Sequence, residues 1–318
     1  MNGTTTWPCV IIGGGAAGLS AALVLGRARR RVLVLDAGEQ SNLPAHGIGG
    51  LLGHDGLAPR ELYARGRAEL AAYPTITVRD ARVTEGGRDG DGFVLTLEDG
   101  ERVAAERVLL AVGMRYRLPE LPGLAALWGG AAFHCPYCHG WEARDGRLAV
   151  LGAEAATHRA LLLRGWSDDV VLLTDGPAVL DDAERTALSR AGVRVDERPV
   201  AALDGVDGAL RAVRFEDGGT LERDGIMVAA PLELRDGVAV GLGATLTGRG
   251  TVDVDAFGRT TVPGLFAAGD VGAMAPQVAA AIAQGSMAAA MLNDAIVAAE
   301  HGREPMAPPR EVAVPVTG

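Results

Sequence analysis

Cys135 and Cys138, two of the three cysteines in the chain, stand at Cys-x-x-Cys spacing. His134 precedes the pair and His139 follows it. A thiol pair at this spacing can cycle between dithiol and disulfide, and its thiolate is the reactive form. Imidazole titrates near neutral pH and can move the protons that this cycle takes up and releases. These four residues are the predicted catalytic set of a redox dithiol.

A zinc site is the structural alternative for such a motif. The two cysteines and two histidines could complete a Cys2His2 set, but zinc sites usually pair two such motifs, and no second Cys-x-x-Cys exists. Redox chemistry is the preferred interpretation, and no metal is expected. The third cysteine, Cys9, lies in an apolar run, where a free cysteine is typically a buried small hydrophobe.

The motif Gly13-x-Gly15-x-x-Gly18 follows that apolar run and opens an alanine-rich helix predicted over Ala16–Arg27. Such glycines let the backbone approach a pyrophosphate at a helix N-terminus, where free N–H groups and the helix dipole favour negative charge. Asp36 ends the next strand and is placed to accept a hydrogen bond from a ribose hydroxyl. The pattern predicts a dinucleotide site. A tight strand-to-helix turn without a ligand is the alternative.

A second element near the C-terminus supports this site. The run from Leu265 to Gly269 is typical of a buried strand, and it delivers the carboxylate of Asp270 into a loop. A turn aspartate is the alternative. Residues from Gln277 to Ala283 begin a helix whose amides could face an electron-rich group such as the edge of a reduced flavin. Both elements together predict FAD.

Further along, a second strand–helix–strand unit is predicted from Arg147–Gly152, Ala155–Trp166 and Asp169–Thr174. Turn signals at Asp99-Gly100 and at Glu216–Gly219 predict β-hairpins. Each half therefore resembles a Rossmann unit with a β-ribbon insert. The fold class is α/β, with two Rossmann-like domains of the three-layer ββα type, the second inserted into the first.

We predict that residues 1–113 and 248–318 form a discontinuous FAD-binding domain. Residues 117–243 form the inserted domain that carries the cysteine pair and a degenerate nicotinamide-binding unit. Proline- and glycine-rich segments mark both joints. The proline-rich tail from Gly302 is expected to be an extended arm.

Composition and net charge limit the classes of partner that the chain can bind. With 48% hydrophobic residues, 22% charged residues and a net charge of -10, the chain is typical of a globular protein that nucleic acid and anionic membranes would repel. Three cysteines are too few for a disulfide scaffold, and the N-terminus lacks the features of a signal peptide, so a cytoplasmic location is expected. The stretch from Val278 to Ala299 contains polar residues that make a membrane span unexpected.

On these motifs the chain resembles the low-molecular-weight thioredoxin reductase family over essentially its full length. The resemblance implies a homodimer and an FAD held by both ends of the first domain, with Asp270 at the ribityl chain and Gln277 and Val278 at the isoalloxazine ring. His46, His54 and Asp55 lie in a glycine-rich loop that by resemblance passes near the flavin; local turn hydrogen bonds are the alternative. The predicted FAD-binding set is Gly13, Gly15, Ala16, Ala17, Gly18, Asp36, Asn42, His54, Val83, Gly113, Gly269, Asp270, Gln277 and Val278.

The second glycine turn departs from that family. Glu154 stands where the second glycine of a nicotinamide fingerprint belongs, and its bulk and charge would oppose a pyrophosphate. The next strand ends Thr174-Asp175-Gly176 without the arginines that bind a 2'-phosphate. This pattern argues against NADPH more firmly than against NADH. No nicotinamide cofactor is expected in turnover.

The cysteine motif departs as well, because Pro136-Tyr137 separates the cysteines and His139 follows where the family typically has aspartate. In this respect the chain is similar to the dithiol oxidases of gliotoxin and holomycin biosynthesis. That similarity implies disulfide formation in a small dithiol, with electrons passing through FAD to O2 to give hydrogen peroxide. By resemblance Cys138 is the cysteine next to the flavin, and His139 is the preferred base. The alternatives are an NAD(P)H-dependent thioredoxin reductase and a flavoprotein that binds or senses thiols without turnover.

Overall fold

The chain divides into two compact units. The first comprises Met1–Gln40, Leu62–Arg115 and Glu233–Gly318, and the second comprises Ser41–Glu61 and Tyr116–Leu232. Within them, the computed structural model describes residues 6–152, 155–235, 237–272 and 276–306.

Strands and helices are numbered here in chain order. The elements of the first unit are β1 (Thr6–Trp7), β2 (Cys9–Ile12), α1 (Ala16–Arg27), β3 (Val32–Asp36), β4 (Ile76–Asp80), β5 (Val83–Asp89), β6 (Gly92–Leu97), β7 (Arg102–Ala105), β8 (Val108–Leu110), α7 (Val238–Gly241), β19 (Leu265–Ala267) and α8 (Val278–Glu300). The elements at the boundaries between the units are α2 (Pro59–Leu70), β9 (Met114–Tyr116) and β18 (Leu232–Leu234).

The first unit has three layers. A parallel sheet in the order β19-β8-β2-β3-β4 forms the middle layer, and a four-stranded sheet in the order β1-β7-β6-β5 covers one face of it. Because side chains alternate along a strand, Val10 and Ile12 of β2 reach the covered face, where they join Phe93 and Leu95 of β6 in one core. The opposite face of β2 and β3 packs against α1. The glycine turn between β2 and α1 therefore lies at the carboxyl edge of a fully covered sheet.

Helix α8 crosses α1 at close range. A Cβ atom on Gly285 would overlap the carbonyl oxygen of Ala17, and Ser20 Oγ donates to the Ile282 carbonyl at 2.8 Å. By length and composition alone α8 is long and apolar enough to cross a membrane, which its polar residues had been expected to prevent. Packing against α1 gives its apolar residues a different explanation, because the core helix of a globular domain meets the same criterion.

The second unit repeats the same layering. Its elements are α3 (Leu124–Leu127), β10 (Ala132–Phe133), α4 (Pro136–His139), β11 (Arg147–Leu151), α5 (Ala156–Leu163), β12 (Asp169–Leu173), α6 (Asp182–Arg190), β13 (Arg194–Asp196), β14 (Val200–Val206), β15 (Ala209–Phe215), β16 (Thr220–Glu222) and β17 (Gly225–Val228).

Its parallel sheet has the order β10-β17-β11-β12-β13, and β14, β15 and β16 form an antiparallel sheet on one face. Ala149 and Leu151 of β11 pack towards that sheet, whereas Leu148 and Val150 pack with Leu163 of α5 on the other face. Both units are thus Rossmann-like ββα layers, and the predicted α/β fold class with one unit inserted in the other is confirmed.

The unit boundaries differ from the predicted domain ranges at two places. Residues 233–247 belong to the first unit, although we predicted that this domain resumes at residue 248. The reason is packing: Leu242 is fully buried in the core of the first unit, and a Cβ on Gly86 of β5 would lie 2.7 Å from its Cγ. Residues 41–61, predicted within the first domain, cluster with the second unit.

The tail is held in place as far as it is described. The Met306 amide donates to Asp294 of α8 at 2.6 Å, and Arg259 donates to the Met306 carbonyl at 2.6 Å. The start of the predicted extended arm therefore folds back on α8. Residues 307–318, which carry the remaining prolines of that prediction, lie outside the described residues.

Candidate active site

The cysteine pair follows the carboxyl end of strand β10, which pairs in parallel with β17. Cys135 is the N-cap of the short helix α4, and Pro136 occupies its first position. Proline is favourable there because an amide at this position has no hydrogen-bond partner within the helix. The turn brings the two sulfur atoms to 3.0 Å, with the Cys138 thiol donating to Cys135. Both cysteines are free and partly buried, so the structure shows the dithiol form.

The two thiols are strongly inequivalent. The hydrogen bond from Cys138 lowers the pKa of Cys135 to about 7 against the opposing effect of burial, with help from the backbone amides of Cys138 and Tyr137. The same hydrogen bond, together with burial and the nearby charges of Cys135 and Glu142, raises the pKa of Cys138. In the reduced pair the thiolate therefore resides on Cys135 and the proton on Cys138.

This asymmetry can be measured in the reduced protein. Replacing Cys138 with alanine removes the donor to Cys135, so we expect the Cys135 pKa to move up towards about 8.5 and its alkylation by iodoacetamide near neutral pH to slow roughly 10-fold. Cys138→Ser keeps a hydroxyl donor and should show a smaller shift. A Cys138→Ala profile that still turns near the wild-type midpoint would assign the low pKa to the backbone amides instead.

His139 lies beside the pair with its imidazole stacked on Phe133, at 5.7 Å between ring centroids and 14° between planes. Both of its ring nitrogens are buried, and neither has a hydrogen-bond partner within the described part of the chain. Burial lowers its pKa, while the Glu142 carboxylate opposes that shift. The lowered pKa favours the neutral imidazole, which is the form that accepts a proton, and no hydrogen bond within the described residues occupies its nitrogens.

His134 has a different environment. Its Nε2 is 2.9 Å from the Tyr116 hydroxyl, and its ring stacks with that of Trp128 at 5.9 Å. Burial lowers its pKa to about 4, and the neighbouring His139 and Arg159 add to that shift. This ring is already hydrogen-bonded and is a weak base. It is therefore better suited to position its neighbours than to accept a proton. The two predicted histidines therefore have different environments, and the role of His139 as the base stays a prediction.

The loop of residues 41–61 contacts the pair. A Cβ atom on Gly49 would lie 2.8 Å from the Cys138 carbonyl oxygen, so the two backbones touch. Asp55 Oδ1 accepts from the Gly50 amide at 2.8 Å, which is the local turn bond of the alternative interpretation. His54 is exposed, and its amide donates to the Leu51 carbonyl at 2.8 Å.

The predicted cofactor turn lies in the first unit, and its three glycines have different reasons to be glycine. Gly13 has φ +108° and lies against the Ala111 carbonyl. A Cβ on Gly18 would overlap the Gly13 carbonyl oxygen. At Gly15, by contrast, a Cβ would meet only Gln40 Cγ, at 3.4 Å. Protein packing does not require a glycine at position 15, but a group bound at the first turn of α1 would, and this open space fits the pyrophosphate of FAD.

Several other predicted FAD residues surround this turn. Gly269, with φ +79°, follows β19 and would place a Cβ 2.9 Å from that of Ala17. Burial raises the pKa of Asp270 and Arg235 opposes the shift, so a carboxyl group sits partly buried after the strand. The amides of Ala16, Ala17 and Gly18 belong to the first turn of α1, which has no side-chain cap.

Asp36 is buried at the end of β3, as predicted, but protein donors already use both of its oxygens. Oδ1 accepts from the Gly38 amide at 3.2 Å and from Gln40 at 3.1 Å, and Oδ2 pairs with Arg67. Its role towards a ribose stays a prediction.

The other members of the predicted set are spread over both units. Val83 starts β5, Gly113 has φ +64°, Gln277 caps α8 and Val278 begins that helix. Asn42 belongs with His54 to the second unit, and both remain predictions for FAD binding.

The second-unit turn is only partly described. Gly152 has φ +117° and α5 begins at Ala156, but Ala153 and the predicted obstacle Glu154 lie outside the described residues. Asp175 Oδ1 accepts from the Val200 amide at 2.7 Å, so this carboxylate is engaged within the protein. No group of three or more His, Cys, Asp or Glu side chains in the described ranges is arranged to hold a metal ion.

Three residues that influence the cysteine site were not predicted from the sequence. Glu142 acts on both Cys138 and His139, and its position three residues after His139 could have indicated this within a helical turn. Tyr116 reaches His134 from 18 residues away, and Gly49 reaches Cys138 from a distant loop, so no local spacing marks either residue.

A redox dithiol with an adjacent base, on two Rossmann-like units of which one carries a dinucleotide cradle, defines a flavin-dependent disulfide oxidoreductase. The family model for pyridine nucleotide-disulphide oxidoreductases matches residues 7–285. The chain belongs to this family, which confirms the predicted resemblance and enzyme class and implies FAD.

Individual relatives cover nearly the whole chain. Thioredoxin reductase tcpT of Claviceps purpurea is 33% identical over 320 residues, which span 97% of this chain and 100% of the relative. The solved structure of HlmI is 39% identical with a TM-score of 0.89, covering 93% of this chain and 94% of the other. An oxidoreductase from Agrobacterium tumefaciens is 37% identical with a TM-score of 0.87, covering 92% and 99% respectively.

Proposed function

We propose that this protein is a dithiol oxidase, which closes a disulfide within a small dithiol and passes the electrons to O2. The observation that supports this direction most is the pairing of a low-pKa Cys135 with His139, a buried neutral imidazole whose nitrogens have no partner among the described residues. A neutral base is what a substrate thiol needs before it can attack, because only the thiolate is nucleophilic.

The cycle starts from the Cys135–Cys138 disulfide. His139 accepts the proton of one substrate thiol, the resulting thiolate attacks Cys135 Sγ, and Cys138 leaves and takes up that proton. The second substrate thiol then gives its proton to His139, which has already passed the first one to Cys138, and attacks the substrate sulfur, displacing Cys135 as a thiolate. A thiolate with a pKa of about 7 is a good leaving group, which favours release of the cyclic product.

The substrate loses two electrons and two protons; the enzyme disulfide takes up both electrons and retains one proton on Cys138. FAD, held by the Gly13–Gly18 turn and by Gly269 and Asp270, would accept the two electrons from the dithiol and pass them to O2 as hydrogen peroxide. The homodimer, the cytoplasmic location and turnover without a nicotinamide belong to the same proposal.

A second candidate is reduction of a protein disulfide by NAD(P)H. The name of the Claviceps purpurea relative, thioredoxin reductase, and the family description favour it. The motif Gly152-Ala153-Glu154 and the absence of arginine from Thr174-Asp175-Gly176 argue against it, for the reasons of charge and fit given above.

Anaerobic mixing distinguishes the two. We expect 1,4-dithiothreitol to bleach the visible band of the bound flavin and readmitted air to restore it with one peroxide per cycle, whereas NADPH and NADH leave the band unchanged on the same time scale. Fast bleaching by NADPH would establish the reductase. Absence of bleaching by every reductant would favour a protein that binds thiols without turnover.

A further inference from the structure

In the proposed cycle, His139 accepts protons that must later leave its buried ring. Its nitrogens are buried and have no partner within the described ranges, so a proton accepted from a substrate thiol cannot pass directly to solvent. Cys138 takes up only one of the two substrate protons when the enzyme disulfide opens, and its own proton must leave when the disulfide forms again. An outlet must therefore lie near this ring.

The segment Gly129-Gly130 connects His139 to a second histidine. The Gly129 backbone lies close enough to the His139 ring to raise its pKa, although it forms no hydrogen bond with either nitrogen. On the other side of the segment, the Cβ position of Gly130 is 3.5 Å from His46 Nε2. His46 is exposed.

The loop that carries His46 is fixed at this place by backbone contacts. A Cβ on Gly129 would lie 2.8 Å from the Pro44 carbonyl carbon and 2.9 Å from the Ala45 amide nitrogen, and Gly49 touches Cys138. The backbone just before His46 and that of Gly49 therefore adjoin the dithiol helix and the segment before it. The loop position of His46 is set by the same contacts that hold the site.

Several charged and backbone groups surround the His139 ring. Glu142 follows it in the same turn and favours its protonated form, Cys135 and Gly129 contribute backbone, and His46 opposes protonation from the loop. His134 lies before the pair and is itself disfavoured in its charged form by His139. Among these groups Glu142 and His46 are exposed, and His46 is the exposed imidazole.

We propose that His46 is the proton outlet of the dithiol site: protons leave His139 through water that enters beside Gly129-Gly130, and His46 passes them to bulk water on its exposed side. This inference rests on the proposed dithiol oxidase function. His46 acts through His139 and does not touch the reacting sulfurs. Its contribution is to the rate and pH dependence of proton release, and it leaves the dithiol and the cofactor turn unchanged.

The test uses the flavin-loaded enzyme and dithiothreitol. We expect His46→Ala to slow anaerobic flavin reduction about 10-fold near neutral pH, to enlarge the solvent deuterium isotope effect, and to recover rate on addition of imidazole. Gly130→Ala, which places a methyl group 3.5 Å from His46 Nε2, should slow the reaction without removing a titratable group. His158→Ala, an exposed histidine on α5, is the matched control and should behave as wild type.

A second readout does not depend on turnover. In protein carrying labelled histidine, the His139 titration should move to higher pH in His46→Ala, because a positive His46 lowers the His139 pKa. An unchanged rate, isotope effect and titration in His46→Ala would overturn the outlet. A slow variant that imidazole does not rescue, or that loses flavin, would also overturn it in favour of a structural role. Wild-type enzyme that dithiothreitol does not reduce would instead refute the dithiol oxidase itself, and the outlet with it.

Discussion

Replacing Cys138 with serine is expected to abolish reduction of the bound flavin by small dithiols. The two sulfur atoms lie 3.0 Å apart in one helical turn, and the third cysteine of the sequence, Cys9, is buried in β2. A serine at this position replaces the thiol donor to Cys135 with a hydroxyl donor, but it cannot form the disulfide that accepts the substrate's electrons. We expect a loss of at least about 1,000-fold in the rate of anaerobic bleaching.

The matched variants identify the roles of the two thiols. Cys135→Ser should be equally inactive, but its remaining Cys138 should titrate at lower pH, because the hydrogen bond to Cys135 and the Cys135 charge both raise its pKa in wild type. Cys9→Ala should keep its rate, since burial raises the pKa of that thiol to about 12 and makes it inert. Unchanged bleaching of Cys138→Ser by dithiothreitol would refute the mechanism.

Local sequence pattern was enough to predict the elements that carry the glycine turn and the cysteine pair. The predicted bounds of α1, Ala16–Arg27, agree with the structure, and the apolar run before Gly13 forms β2, because an apolar run and an alanine-rich helix separated by glycines admit few other arrangements. The four residues predicted from the cysteine motif lie together because they are neighbours in sequence at the start of α4, and their catalytic roles stay predictions. Helix α5 ends at Leu163, three residues before the predicted end at Trp166, because the chain turns there through Gly165.

Properties that depend on distant contacts were not predictable. The environments of His134 and His139 differ because Tyr116 hydrogen-bonds one ring, whereas the other is buried over Phe133. The loop of residues 41–61 follows the first Rossmann strands in sequence but clusters with the second unit, through contacts such as that of Gly49 with Cys138. The spacing of residues along the chain does not predict contacts between residues so far apart in sequence. The different environments of the two histidines therefore became visible only in the structure.

Replacing Gly15 with alanine should remove FAD while leaving the fold intact. The N-cap conformation at Gly15, φ -80° and ψ -167°, suits alanine, and the added Cβ would make only an ordinary contact with Gln40 Cγ at 3.4 Å. The same methyl group would occupy the space above the amides of α1 where a pyrophosphate must approach. We expect FAD to bind roughly 100-fold more weakly, measured by flavin-to-protein ratio after gel filtration and by fluorescence titration of the apoprotein.

Two comparisons separate a cofactor cradle from a simple tight turn. Gly18→Ala should lose both FAD and thermal stability, because its Cβ would overlap the Gly13 carbonyl and the turn itself must distort. Gly248→Ala, whose Cβ would meet nothing within 4 Å, should bind FAD as wild type does. If Gly15→Ala kept its full flavin content, the glycine motif would be explained by backbone packing at Gly13 and Gly18 alone, and the cofactor would have to be held elsewhere. If Gly15→Ala instead lost flavin at an unchanged unfolding temperature of the apoprotein, the position would be reserved for the ligand, because no protein contact requires a glycine there.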